Sequence, residues 1–245
     1  MNHPFLVALQ FLTRLPIPKT GKLASAKIQG RSVLYYPIIG LMLGLLSILL
    51  AYGLEDVLPN ALIAFFILAF GVTITGALHL DGLADSADAW LGGHGNKQRC
   101  LDIMRDPRCG PAGVIALFMV LLAKFSAYES IIAQTNGFAL IVAPLLARTA
   151  VIALFLSTPY VRAGGIGETL SQYMPKTAAY GVILTSAFVV LLFFNGFWPL
   201  IFAGLLFYLL RRQMLLTLDG ATGDTTGAMI EIMETGVLIA ALIKI

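Results

Sequence analysis

Long apolar runs, each close to the length needed to cross a bilayer, constrain this chain more than any other feature. They fall at roughly 33–54, 59–80, 112–134, 137–157, 177–195, 197–216 and 225–243. A helix needs about 20 mainly apolar residues to traverse the hydrocarbon layer. Inside lipid every backbone N–H and C=O must be paired within the protein, so only helices or a closed barrel can span. The runs are continuous and lack the period-two alternation of barrel strands. The expected fold is therefore an all-α, polytopic transmembrane helix bundle of about seven spans. Six to eight stay open, because the segment around Asn195 and Gly196 also reads as one re-entrant hairpin.

Composition agrees. Hydrophobic residues make up 58% and charged residues 12% of the 245, against about a quarter charged in a soluble domain. The bundle takes up the whole chain, so residues 1–245 read as a single integral-membrane domain. A net charge of +3, dispersed over several connections, does not make a nucleic-acid surface. Residues 2–15, with Phe5, Leu9 and Leu12 on one face, predict an amphipathic helix lying at the membrane surface and ended by Pro16 and Pro18. No basic region precedes this run and no small-residue cleavage site follows it, so the segment is expected to be retained.

Basic residues orient the bundle. Arg14, Lys19, Lys22, Lys27 and Arg31 precede the first span. Lys97, Arg99, Arg105 and Arg108 lie in the second connection, Arg162 and Lys176 in the fourth, and Arg211 and Arg212 in the sixth. The other connections carry none. By the excess of Lys and Arg on the cytoplasmic side, the N-terminus and the even connections face the cytoplasm, across the inner membrane.

One of those connections concentrates the acidic chemistry. The stretch His79–Gly113 holds Asp81, Asp85, Asp88, Asp102 and Asp106, five of the thirteen acidic residues. Asp81, Asp85 and Asp88 stand at i, i+4 and i+7, which brings three carboxylates onto one helical face. Like charges at this spacing oppose the helix, so the triplet calls for a cation, and all-oxygen ligation suits magnesium, manganese or calcium. The simpler reading is a solvated helix end loosened by Gly82. A second constellation, Asp219-Gly220-Ala-Thr-Gly223-Asp224-Thr-Thr-Gly227, falls on the same side. Its glycines allow tight turns and close approach of a ligand to the backbone, and Asp219 and Asp224 add carboxylates.

Lys124, Glu129, Arg148, Glu231 and Glu234 lie within predicted spans, where an ionisable group lines a cavity or pairs with another. Glu231 lies two turns below Asp224 on one face, which suggests a polar cleft. An ion pair locking the bundle is the alternative. Arg105 and Arg108 flank Asp106, and arginine forks suit phosphate oxygens. Cys100 and Cys109, even with His79 and His94, have no zinc spacing and read as free thiols.

The runs HLDGLADSADA (79–89), IMRDPRCGPAG (103–113), FLTRLPIP (11–18) and GATGDTTGA (220–228) together resemble the cobalamin synthase family, the adenosylcobinamide-GDP ribazoletransferases of bacteria and archaea. The resemblance extends over nearly the full chain. It implies that adenosylcobinamide-GDP and α-ribazole, or α-ribazole 5′-phosphate, are joined with release of GMP, and that Mg2+ is the cofactor. On this reading Asp81, Asp85 and Asp88 hold the metal, Arg105 or Arg108 grips a phosphate oxygen, and Asp88 or Asp106 takes the hydroxyl proton. Asp219, Gly220, Gly223 and Asp224 bind ligand or a second metal. The Asp-Gly-x-x-Ala beginning at Asp81 also resembles the CDP-alcohol phosphotransferases, but Asp85 stands where their pattern has Arg. An ion-coupled transporter would use intramembrane acids as well.

Overall fold

The computed structural model describes residues 3–17, 24–134, 137–193 and 196–243. Pro18, Lys19, Lys22 and Asn195 lie outside them. Among the described residues twelve α-helices form and no strand: α1 (Pro4–Leu12), α2 (Ala26–Ser32), α3 (Tyr36–Leu54), α4 (Asn60–Thr75), α5 (Leu78–Gly92), α6 (Lys97–Ile103), α7 (Pro111–Ala133), α8 (Phe138–Ser157), α9 (Ile166–Tyr173), α10 (Lys176–Phe193), α11 (Phe197–Leu218) and α12 (Gly223–Ala240). The chain is an all-α, multi-pass membrane bundle.

Among the described residues, five helical stretches are long and apolar enough to cross a bilayer: Ala26–Leu54, α7, α8, α10 and α11. The run expected at 59–80 is not one straight span. It breaks into α4 and α5, which meet at 88°, because Gly76 (φ 64°) and Ala77 (φ 56°) both adopt the left-handed conformation. Gly76 N–H bonds Thr73 O and Ala77 N–H bonds Val72 O at 3.0 Å, which closes the end of α4. The extended segment after α1 covers this corner, with Arg14 N–H donating to Ile74 O at 2.7 Å. Counted as one broken span, the pair brings the total to six. The run expected at 225–243 forms α12, which carries Asp224, Glu231 and Glu234 and is buried along most of its length. α10 and α11, on either side of Gly196, are each long and apolar enough to cross a bilayer alone. The N-terminal helix is shorter than 2–15: it ends at Leu12, where Thr13 Oγ1 bonds back to Leu9 O at 2.6 Å. Ala8 and Leu12 are buried in the main core and Phe11 stacks on Tyr36, so α1 is docked onto the bundle.

α8 is the centre of the bundle. Of its apolar stretch 78% is buried, against 17% in α7, α10 and α11, whose outer faces are left for lipid. α3 lies closely along α8 through Gly40 and Gly44: a methyl group at Gly44 would stand 2.6 Å from Ile141 Cα. Glycines four apart let two helix backbones touch in a membrane, where packing replaces the hydrophobic drive. α5 and α12 use the same device. A methyl at Gly82 would meet Asp224 O at 2.6 Å, and one at Gly227 would meet His79 Cα at 3.3 Å. Gly82 is thus a helix contact, and it sets the start of α5 directly against the start of α12.

The four basic connections gather at one end of the bundle. There Lys97 Nζ pairs with Asp219 at 3.1 Å, Arg162 with Asp224 at 2.8 Å, and Arg211 donates to Ser157 O at 2.6 Å. Ala89, Cys100, Met104 and Leu218 form a small second core that fastens α6 beneath the end of α11.

Candidate active site

At this polar end a cavity of about 260 Å³ opens between α1, α5, α8, α9 and α12. Its apolar wall includes Phe11, Tyr36, Val151, Phe155, Leu170 and Ile230, and its polar rim includes Asp81, Asp224, Arg162, Tyr160 and Thr226. The contact of Gly82 with the Asp224 backbone brings Asp81 and Asp224 to one site, although 143 positions separate them in sequence. Asp81, Asp224 and Asp88 all act on Asp85 as like charges, and Arg162 acts as the opposing one. Among the described residues neither the Asp81 nor the Asp85 carboxylate has a hydrogen-bond or ion-pair partner.

The walls around Asp224 are fixed by backbone. Thr222 opens α12 with a capping box, accepting from Thr225 N while its own N–H donates to Thr225 Oγ1. The preceding turn pairs with the segment after α8: Ala221 N donates to Pro159 O at 2.8 Å and Val161 N to Ala221 O at 2.9 Å. Gly220 is needed for that approach, since a methyl there would strike the Pro159 carbonyl. Gly223 lines the cavity. Burial pushes the Tyr160 phenol up from its ordinary range, so its hydroxyl is a neutral hydrogen-bonding group at the rim.

The other residues singled out from the sequence lie elsewhere. Asp88 faces α7: its Oδ2 accepts from Gly110 N at 2.7 Å and its Oδ1 from Gly113 N at 2.9 Å. Both oxygens thus serve the N-terminus of the next helix, where a carboxylate meets unpaired amides and the positive end of the dipole. Gly110 and Gly113 leave room for it, since a methyl on either would stand within 2.6 Å of an Asp88 oxygen. Arg108 forks onto Asp106 at 2.6 Å on the exposed surface, and that hydrogen bonding holds Asp106 down at about 2. A base so acidic is poorly matched to abstracting a hydroxyl proton near neutrality. Arg105 sits 3.9 Å from Asp102, also on the surface, and Asp219 is the exposed C-cap of α11 (φ 58°). None of Asp85, Asp88, Arg105, Asp106, Arg108, Asp219 and Gly220 borders the cavity.

Deeper in the bundle, Lys124 Nζ pairs with Glu231 at 2.6 Å and Glu234 at 2.7 Å. Arg148 pairs with the other oxygen of Glu234, and His79 Nδ1 lies 3.9 Å from Glu231. Two cations thus meet two carboxylates at the junction of α7, α8 and α12. The geometry is that of an ion-pair lock, and Glu129 takes no part in it. Cys100 is buried and Cys109 exposed, both as free thiols. Arg162 and Tyr160 are the rim residues that the sequence did not single out.

The family model described as cobalamin-5-phosphate synthase matches residues 4–242. The chain belongs to that family. Relatives of the family named adenosylcobinamide-GDP ribazoletransferase include one from Pseudomonas fluorescens, 48% identical over 96% of this chain and 97% of its own. Another, from Pseudomonas putida, is 49% identical over 96% of this chain and 97% of its own. A third, from Stutzerimonas stutzeri, is 49% identical over 99% of this chain and 98% of its own. No solved structure matches. The family match runs from α1 through α12 and so takes in every element that borders the cavity.

Proposed function

We propose that this chain is an adenosylcobinamide-GDP ribazoletransferase, joining adenosylcobinamide-GDP to α-ribazole or its 5′-phosphate with release of GMP, and that the cavity between α5 and α12 is where the transfer occurs. The observation that carries the site is the meeting of Asp81 and Asp224, one from each acidic constellation, on the rim of one cavity with a guanidinium beside them. Its volume of about 260 Å³ lies just below the usual range for ligand sites, about 300–1,000 Å³. It suits a nucleoside or the diphosphate end of a substrate, and leaves the corrin macrocycle outside the bundle.

The donor set suits Mg2+. The carboxylates are hard oxygen donors, and among the described residues neither Asp81 nor Asp85 is held in an ion pair. Among the described residues no three acidic, His or Cys side chains converge on one point. Magnesium, however, is commonly held by one or two carboxylates with water and substrate phosphate completing the shell. Asp81 and Asp224 would hold it, with Asp85 adding negative potential. When bound, the ion would neutralise charge on the diphosphate. The chain's own part is to orient the two substrates against each other on the rigid α5–α12 pair and to exclude water with the apolar wall.

The excess of basic residues at the end bearing the cavity supports a cytoplasm-facing site in the inner membrane. Purified protein in detergent, given adenosylcobinamide-GDP, α-ribazole and Mg2+, should form one GMP per corrinoid product. Formation of neither, in protein that remains folded, would overturn the assignment.

A further inference from the structure

The surface arginines of the IMRDPRCGPAG run lie away from the cavity and already have carboxylate partners, so the phosphate-gripping role is open. Among the described residues Arg162 is the one Lys or Arg that borders the cavity. Its side chain is 31% exposed, and it is bound through Nη1 alone to Asp224 Oδ2, at 2.8 Å. A guanidinium carries five N–H donors in a planar fork, so one is committed and the Nε and Nη2 edge has no partner among the described residues. The segment carrying it is pinned on both sides. Val161 is paired with Ala221 before it, and the Arg162 carbonyl accepts from Gly165 N at 3.1 Å after it. Arg162 is thereby held beside the first turn of α12, whose dipole favours anions at the same place.

We infer that Arg162 binds the diphosphate of the nucleotide substrate, its free Nε and Nη2 edge taking phosphate oxygens while Asp224 orients the fork. The inference rests on the proposed transferase reading and adds to it the residue that selects the diphosphate-bearing partner. A lysine in its place keeps a cation beside Asp224 but lacks the fork. Charge-assisted hydrogen bonds are worth about 1.5–3 kcal/mol, so loss of the grip corresponds to about ten- to hundredfold in affinity.

The test uses the full-length protein in detergent, comparing wild type, Arg162→Lys and Arg162→Ala. The measurements are KM for each substrate, the dissociation constant of adenosylcobinamide-GDP without α-ribazole, and the melting temperature. Both variants should weaken adenosylcobinamide-GDP about ten- to hundredfold in KM and dissociation constant, leave the KM of α-ribazole within about threefold, and let Arg162→Lys melt with wild type. Wild-type affinity for adenosylcobinamide-GDP in Arg162→Lys, or equal weakening toward both substrates, would overturn the inference and make Arg162 a structural partner of Asp224. In either case wild-type turnover upholds the reaction itself. Its absence from wild type would instead defeat the transferase reading.

Discussion

At the scale of single residues, the three carboxylates at i, i+4 and i+7 of α5 divide into two kinds. Asp81 looks into the cavity toward Asp224, and Asp88 is spent on the amides of Gly110 and Gly113. The spacing made all three equivalent, because one helical face is all that periodicity can specify. What separates them is the position of the next helix, which only tertiary packing supplies. Asp88 caps the start of α7, which differs from the solvated end of its own helix that the sequence offered. Removing a capping carboxylate costs about 0.5–2 kcal/mol. Asp88→Ala should lower stability by about that amount, seen as a fall in melting temperature with the Mg2+ dependence of GMP release unchanged. A variant that melts with wild type but needs more Mg2+ would return Asp88 to the metal site. Arg162 carries no site signal in the sequence, where it counts only as one of two basic residues in a connection. Its partner Asp224 is 62 positions away, and no local pattern joins them.

At the scale of elements, the apolar runs marked α3, α4, α7, α8, α10, α11 and α12, since each run must satisfy its own backbone in lipid, and left the short polar helices α2, α6 and α9 unmarked. The corner at Gly76–Ala77 was not legible. A single glycine in an apolar run is common in membrane helices, and the left-handed Ala77 beside it carries no signal in its side chain. The buried charges were legible as a class, and their pairing followed from where α7, α8 and α12 meet. The α5–α12 contact is the element that builds the site, and Gly82 is its closest point. Gly82→Ala forces the Asp224 backbone away. Overpacking of this kind costs about 1–3 kcal/mol, or about 2–4 °C of melting temperature per kcal/mol. The variant should also lose more turnover than its stability loss explains, because Asp81 and Asp224 move apart. Full activity at a temperature where it is folded would show that the close approach of α5 and α12 is not required.

At the scale of the molecule, the bundle places its four basic connections, both acidic constellations and the cavity at one end. The count of Lys and Arg expected this without knowing any contact, because charge asymmetry acts on topology before packing does. The same asymmetry gives a labelling prediction in intact cells lacking the native cysteines. A membrane-impermeant thiol reagent should spare single cysteines at the exposed positions Asn96 and Ala163 and modify one at Asp56 in the opposite connection. The reverse pattern would place the site outside. We propose that Asp81 and Asp224 form the reacting centre with bound Mg2+. This is tested most directly by the rate of GMP release, across a Mg2+ titration, in wild type, Asp81→Asn and Asp224→Asn with melting temperatures matched. Rates should fall about a hundredfold or more in both variants, as when a group stabilising reaction charge is removed, with a higher Mg2+ requirement for what remains. Wild-type rates and unchanged Mg2+ dependence in both would contradict it.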